Sequence, residues 1–229
     1  MQKTDFSECG IVLSDEQVSQ LDRLADYMVE YNKNVNLTRI TEPDEIREKH
    51  YIDSILPLTM VNVPRGTKTI DVGAGAGFPS LPMKIYRPDL VFTLLDSGNK
   101  RITYLESACK MLGIECETVH ARGEEAGQDP KYREKYGLAV ARAVAALNVL
   151  CEYCLPFVEV GGTFLALKGE KDETEEAGNA IKKLGGEIAD IKRYSLPGGD
   201  KRTLVVIKKV SPTPAQYPRV SAKIAKKPL

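Results

Sequence analysis

The sequence predicts an α/β protein: a Rossmann-like, mostly parallel sheet with an antiparallel last strand, preceded by a helical N-terminal extension. Three observations carry that reading. Thr69–Val72 is a short β-favouring run that meets glycines at alternate positions, Gly73, Gly75 and Gly77, before Pro79 and Pro82 mark a helix start. A second apolar run, Val91–Leu95, ends at Asp96. Further on, strand and helix patterns alternate until two strands joined by L-P-G-G-D-K-R, a loop that favours a hairpin. Alternating β and α segments build a parallel sheet whose ligand lies beyond the carboxyl ends of the strands.

Before the sheet, Ser14 and Gln17 form a capping-box signature, followed by apolar Val18, Leu21, Leu24 and Met28 at helical spacing. Thr41 with Asp44 marks a second helix start, with Pro43 in the first turn, where its missing donor costs little. Pro64-Arg65-Gly66 ends this helical extension, residues 1–64. The sheet domain, residues 65–210, continues after Asp96 with a helix over Lys100–Leu112 stopped by Gly113, and a strand over Glu115–His120. A charged surface loop at Asp129–Lys135 precedes a fourth strand, Gly137–Ala141, and a helix, Ala145–Cys154. Gly161-Gly162 reads as a turn before the fifth strand, Thr163–Leu167; then come a helix over Glu173–Leu184 and strands at Glu187–Tyr194 and Thr203–Lys208.

Residues 211–229 form a third segment with four prolines, four cations and no acid, and are expected to stay off the core. Residues 201–229 hold eight of the 32 Lys/Arg and none of the 32 Asp/Glu, so a chain of zero net charge is locally basic at its end. That asymmetry suggests an anionic partner such as nucleic acid, with Arg219, Lys223, Lys226 and Lys227 as an arm on RNA. No apolar run is long enough for a membrane span, and no membrane partner is expected. Five cysteines without paired zinc-ligand spacing fit a reducing, cytoplasmic setting, and no metal is expected. Cys151-x-x-Cys154 lies within a helical pattern and reads as ordinary packing.

The glycine stretch chooses among cofactors. A dinucleotide loop is G-x-G-x-x-G, its third glycine admitting close helix–strand packing. Here the spacing is G-x-G-x-G, and Phe78 stands where that glycine belongs. S-adenosylmethionine has no phosphates and suits such a loop, with glycine backbone exposed to it and the following helix N-terminus offered to an anionic group. Asp96 falls where a carboxylate accepts the ribose hydroxyls; it equally suits capping the next helix. A nicotinamide-dependent oxidoreductase and a non-catalytic RNA-binding module are the competing readings, disfavoured by Phe78 and by the intact loop with Asp96, respectively.

Six stretches in order, N-L-T at Asn36–Thr38, K-H-Y-I-D-S at Lys49–Ser54, D-V-G-A-G-A-G-F-P at Asp71–Pro79, L-L-D-S-G-N-K-R at Leu94–Arg101, A-R-A-V-A at Ala141–Ala145 and A-L-K-G at Ala166–Gly169, together resemble the RsmG (GidB) methyltransferases. The similarity runs from about residue 14 to the tail. It implies a class I S-adenosylmethionine-dependent methyltransferase acting on N7 of a guanine (position 527, in the 530 loop) of 16S ribosomal RNA. The RNA would be met in the 30S subunit or a precursor, by a monomer. Cofactor contacts are implied at Gly73, Gly75, Phe78, Asp96, Ser97, Gly123, Glu124 and Arg142, and the family's basic positions Lys100, Arg101, Arg122 and Lys168 meet RNA or the cofactor carboxylate; His50 is read as an RNA contact or a packing residue, and Arg202 and Arg219 are further RNA candidates. The family motif often has Pro at the position of Ala76 or Gly at that of Ser80; neither difference removes a reacting group.

Guanine N7 carries a lone pair and no proton, so its methylation needs no general base. The sequence after strand four is A-R-A-V-A, not the Asn/Asp-Pro-Pro-aromatic motif that holds an exocyclic amine, and no cysteine stands at a strand end for C5 chemistry. Asn36, Asp53 and Arg142 are the candidates for positioning the base; helix capping is an equal reading for the first two.

Overall fold

The computed structural model describes residues 3–229. A short helix α1 (Lys3–Ser7) precedes α2 (Asp15–Asn32), whose capping box forms in full: Ser14 Oγ accepts from the Gln17 N–H and Gln17 Oε1 from the Ser14 N–H. Val18, Leu21, Leu24 and Met28 are all buried, as their spacing predicts. The second helix departs from expectation in two ways. Its N-cap is Glu42 rather than Thr41, and after α3 (Pro43–Glu45) it widens into a π-helical stretch, Ile46–Ile52, before α4 (Asp53–Met60). π-Bulges favour functional sites; this one carries His50 and leads to Asp53.

The sheet strands are β1 (Lys68–Val72), β2 (Val91–Asp96), β3 (Cys116–His120), β4 (Tyr136–Arg142), β5 (Val158–Lys168), β6 (Gly186–Ser195) and β7 (Lys201–Lys209). They lie in the order β3-β2-β1-β4-β5-β7-β6, with β1 to β5 parallel and β7 antiparallel to both β5 and β6. The helices between them are α5 (Ser80–Tyr86), α6 (Asn99–Leu112), α7 (Gly123–Ala126), α8 (Leu147–Cys154) and α9 (Thr174–Lys183). Alternate residues feed two cores. From β4, Leu138 and Val140 join α5, α6 and the N-terminal helices on one face, while Ala139 and Ala141 join α8 and α9 on the other. Phe6, Leu24, Met28 and Tyr51 belong to the same cluster as Phe92 and Leu94, so the extension closes one face of the sheet.

Gly161-Gly162 is not a turn but lies within β5, which begins at Val158. A register irregularity against β4 between Tyr136 and Leu138 accommodates the pair, with Gly161 at φ +91°. A side chain on Gly162 would sit 2.9 Å from the Gly137 carbonyl oxygen, so glycine here allows close strand approach.

The C-terminal segment also differs from expectation: it lies against the domain and ends in a helix, α10 (Ser221–Lys226), with Ile224 fully buried. Arg133, assigned from sequence to a charged loop, donates to the carbonyls of Gly127, Thr213, Pro214 and Tyr217. Composition suggested a free arm, but those carbonyls find a half-buried cation, and the cost of ordering the chain is offset by these bonds. Among the described residues, no helix is long and apolar enough to cross a membrane.

Candidate active site

A cleft of about 610 Å³ opens at the carboxyl ends of β1, β2, β3 and β4, within the range of small-molecule sites. It is lined by the glycine loop, Asp96, Ser97, Ala121–Glu124 and Arg142–Ala145. Gly73, Gly75, Phe78, Asp96, Ser97, Gly123, Glu124 and Arg142 all stand in this one wall, as do the RNA candidates His50, Arg101 and Arg122. Lys100 is exposed beside them at the start of α6.

Asp96 is 3% exposed and organises the floor. Its Oδ2 accepts from the Gly75 N–H at 2.9 Å and its Oδ1 from the Gly98 N–H at 2.7 Å, so it ties the glycine loop to the start of α6. A carboxylate has about four lone-pair sites, which leaves acceptor capacity on each oxygen. Ligand binding and capping are therefore compatible in one residue.

The start of α5 does not offer the anion site that its place after the glycines suggests. The Ser80 N–H faces Asp71 Oδ2 at 3.3 Å, the Leu81 N–H donates to Gly77 O, Pro82 has no N–H, and the Met83 N–H donates to Pro79 O. Asp71 is fully buried, burial pushes it up to about 6, and its Oδ1 has no hydrogen-bond partner. With Asp96 in the cleft wall and Asp71 buried beneath the loop, a diphosphate would meet one carboxylate, with a second behind it, and no free helix N–H. A cofactor with a cationic reacting end fits these residues; a dinucleotide does not. The neighbouring wall is shaped to match: a Cβ at Gly73 (φ +80°) would lie 2.9 Å from Val144 Cγ2, whereas the space at Gly75 is open.

A second cavity of about 340 Å³ adjoins the first through His50, Arg142 and Ala143, and adds Lys49, Asp53, Lys168 and Arg202. Asp53 sits between two guanidiniums, accepting from Arg142 Nη1 and from Arg202 Nε, each at 3.0 Å. Both oxygens are thus engaged in fixing arginines, and Asp53 lines the cavity with them. Arg142 also donates to Lys49 O and lies over the Phe78 ring, 5.5 Å from its centroid. Lys168 is directed inward, donating to Ala145 O at 2.7 Å and pairing with Glu173 at 3.2 Å, so it fastens the loop after β4. That loop carries Ala143 at φ +57°, a left-handed conformation that a non-glycine residue holds only where its surroundings impose it. Asn36 is exposed and outside both cavities, while its neighbours Leu37 and Thr38 line the cleft. Arg219 lines neither cavity and is paired with Glu152.

His50 is a wall residue. It is 6% exposed, stacks on Phe78 at 4.1 Å between centroids, and places Nε2 3.0 Å from Thr38 Oγ1 and Nδ1 3.4 Å from Arg142 Nη2. Burial first, and then the Arg142 charge, lower its pKa to about 3, so the folded protein holds it neutral. In the unfolded chain the ring titrates near 6.5. This stabilisation is therefore complete above about pH 6.5 and is lost as pH falls toward about 3. Between pH 6.5 and 5 the unfolding free energy of the wild-type protein should fall by about 1.6 kcal/mol more than that of His50→Gln, measured by urea unfolding.

Sequence reading passed over Val149, Tyr153 and Ser221, which also line the cleft. Tyr153 and Ser221 meet, 3.1 Å apart, across 68 positions of sequence, and no local pattern signals such a pair.

The family described as rRNA small subunit methyltransferase G matches residues 17–201. A ribosomal RNA small subunit methyltransferase G of Lactobacillus delbrueckii subsp. bulgaricus is 48% identical, covering 98% of this chain and 96% of that protein. That of Pelotomaculum thermopropionicum is 48% identical, covering 99% and 97%. The solved ribosomal protein L11 methylase of L. delbrueckii subsp. bulgaricus superposes with a TM-score of 0.55 at 16% identity, over 71% of this chain and 80% of that one, a likeness of fold. On the extent of these matches, the chain belongs to the rRNA small subunit methyltransferase G family.

Proposed function

We propose that the protein transfers a methyl group from S-adenosylmethionine to N7 of guanine 527, in the 530 loop of 16S ribosomal RNA, in the cytoplasm. The observation that carries this is the joining of two cavities at the carboxyl edge of the sheet. One is floored by glycines and Asp96, and the other holds arginines fixed by Asp53. Family membership supplies the substrate class.

When bound, the cofactor supplies an electrophilic methyl on a sulfonium. Asp96 would take the ribose hydroxyls, with Ser97, Gly123 and Glu124 bordering the nucleoside, and His50, Arg142 and Ala143 line both that space and the adjoining acceptor cavity. Because N7 has no proton to lose, the residues work by placement, and holding reactants in line can contribute about 7–11 kcal/mol. With its pKa lowered to about 3, His50 is a weak base, and a reaction at N7 asks for none. Arg142 and Arg202, held by Asp53, provide fixed positive potential for the anionic RNA, and Lys100, Arg101 and Arg122 extend it along the rim.

Calorimetry with S-adenosylhomocysteine and with NAD tests the cofactor half: binding of the first and not the second is expected. Transfer of labelled methyl to 30S particles lacking the modification tests the acceptor half. A protein that binds NAD, or that transfers no label to RNA, would contradict the proposal.

A further inference from the structure

The C-terminal segment reaches the cleft as a strap tied to both elements that border its nucleoside end. Arg219 binds Glu152 of α8 through three contacts: its backbone N–H and Nε to Oε1 at 2.9 and 2.8 Å, and Nη2 to Oε2 at 2.6 Å. Gln128, two residues beyond α7, donates to the carbonyls of Ala215 and Pro218. Lys209, buried, donates to Thr213 Oγ1 where the strap leaves β7. These ties deliver Ser221 to the cleft wall, with its Oγ 3.1 Å from the Tyr153 hydroxyl, and both residues line the cleft. The strap lies beyond residues 17–201, which the family model matches, but within the span that the relatives cover.

Which end of a ligand would they meet? If Asp96 takes the ribose, the reacting end lies toward β4, where the cleft joins the acceptor cavity through Arg142 and Ala143. The base then lies on the β3 side, at Ala121–Glu124. Tyr153 borders that end: a Cβ on Gly123 would sit 3.5 Å from its Cδ1. Two hydroxyls bonded to each other use one proton between them, leaving one O–H to donate and lone pairs to accept. That is the complement of an aminopurine edge, which presents an N–H₂ donor beside a ring-nitrogen acceptor.

We propose that Ser221, delivered by the strap, and Tyr153 form a nucleobase-reading pair that selects adenine in the cofactor. This rests on the cofactor assignment above. The strap is thus part of the binding site, with Arg219 tied to Glu152 while Lys223, Lys226 and Lys227 stay exposed.

The test is calorimetry of wild type, Ser221→Ala and Tyr153→Phe with S-adenosylhomocysteine and S-inosylhomocysteine, in which a ring carbonyl and N–H replace the amine and acceptor. Thermal melts confirm that each variant folds. Wild type should prefer the adenosyl ligand, and each variant should lose about two- to tenfold of that preference, the worth of a neutral hydrogen bond. Asp96→Ala should weaken both ligands alike and leave the ratio intact. Folded variants with wild-type affinity and an unaltered ratio would overturn the pair's role alone. A wild-type protein that binds neither ligand would overturn the cofactor assignment and this inference with it.

Discussion

Asp96→Ala lowers the affinity for S-adenosylhomocysteine at least tenfold while the fold survives. Two charge-assisted ribose hydrogen bonds, each about 1.5–3 kcal/mol, are the expected loss. The geometry adds a second effect, because Asp96 also receives the N–H groups of Gly75 and Gly98. Removing it releases the glycine loop from α6, so the pocket loses shape as well as a contact. Asp96→Asn keeps an acceptor for one of those N–H groups and should bind with intermediate affinity. Calorimetry on the three proteins, with melting curves alongside, gives the ranking.

Arg219→Ala is expected to destabilise the protein more than any substitution of an exposed lysine in α10. Glu152 is fully buried, and its carboxylate is satisfied by the Arg219 side chain and backbone. Truncating the arginine leaves a buried charge with one backbone donor, a loss of about 3–5 kcal/mol. For a chain of this size that lowers the melting temperature by on the order of 10 °C. Glu152→Gln in the same background removes the stranded charge and should recover part of the loss. Lys226→Ala and Lys227→Ala, both exposed, should stay within about 0.5 kcal/mol of wild type.

These two residues mark where sequence reading succeeds and where it stops. The place of Asp96 in the fold was legible because it is local: a strand, an acidic end and a helix follow one another, and the glycine loop lies one βα unit earlier. The capping box and the burial of Val18, Leu21, Leu24 and Met28 were legible for the same reason. The pairing of Arg219 was not legible, because composition counts charges without seeing their partners. Its partner stands 67 positions away, in a helix whose sequence shows only one acid among apolar residues.

Asp53 shows the same limit at the site itself. The sequence placed it near the chemistry, but only the fold shows Arg142 and Arg202 closing on it from two different strands. The Gly161-Gly162 pair failed differently. Glycines mark both turns and close strand approaches, and only pairing with β4 decides between them. For the start of α5, the glycine pattern promised an anion site that a buried aspartate and a proline take away.

The central claim is that the joined cavities present one guanine N7 to the methyl group. It is tested most directly by treating 30S particles that lack the modification with the protein and S-adenosylmethionine, then cleaving the RNA with borohydride and aniline. Only N7-methylated guanine yields a strand break. A single new break at guanine 527 is the predicted result. Label incorporated without that break, or found on a cytosine or an adenine amine, would contradict it.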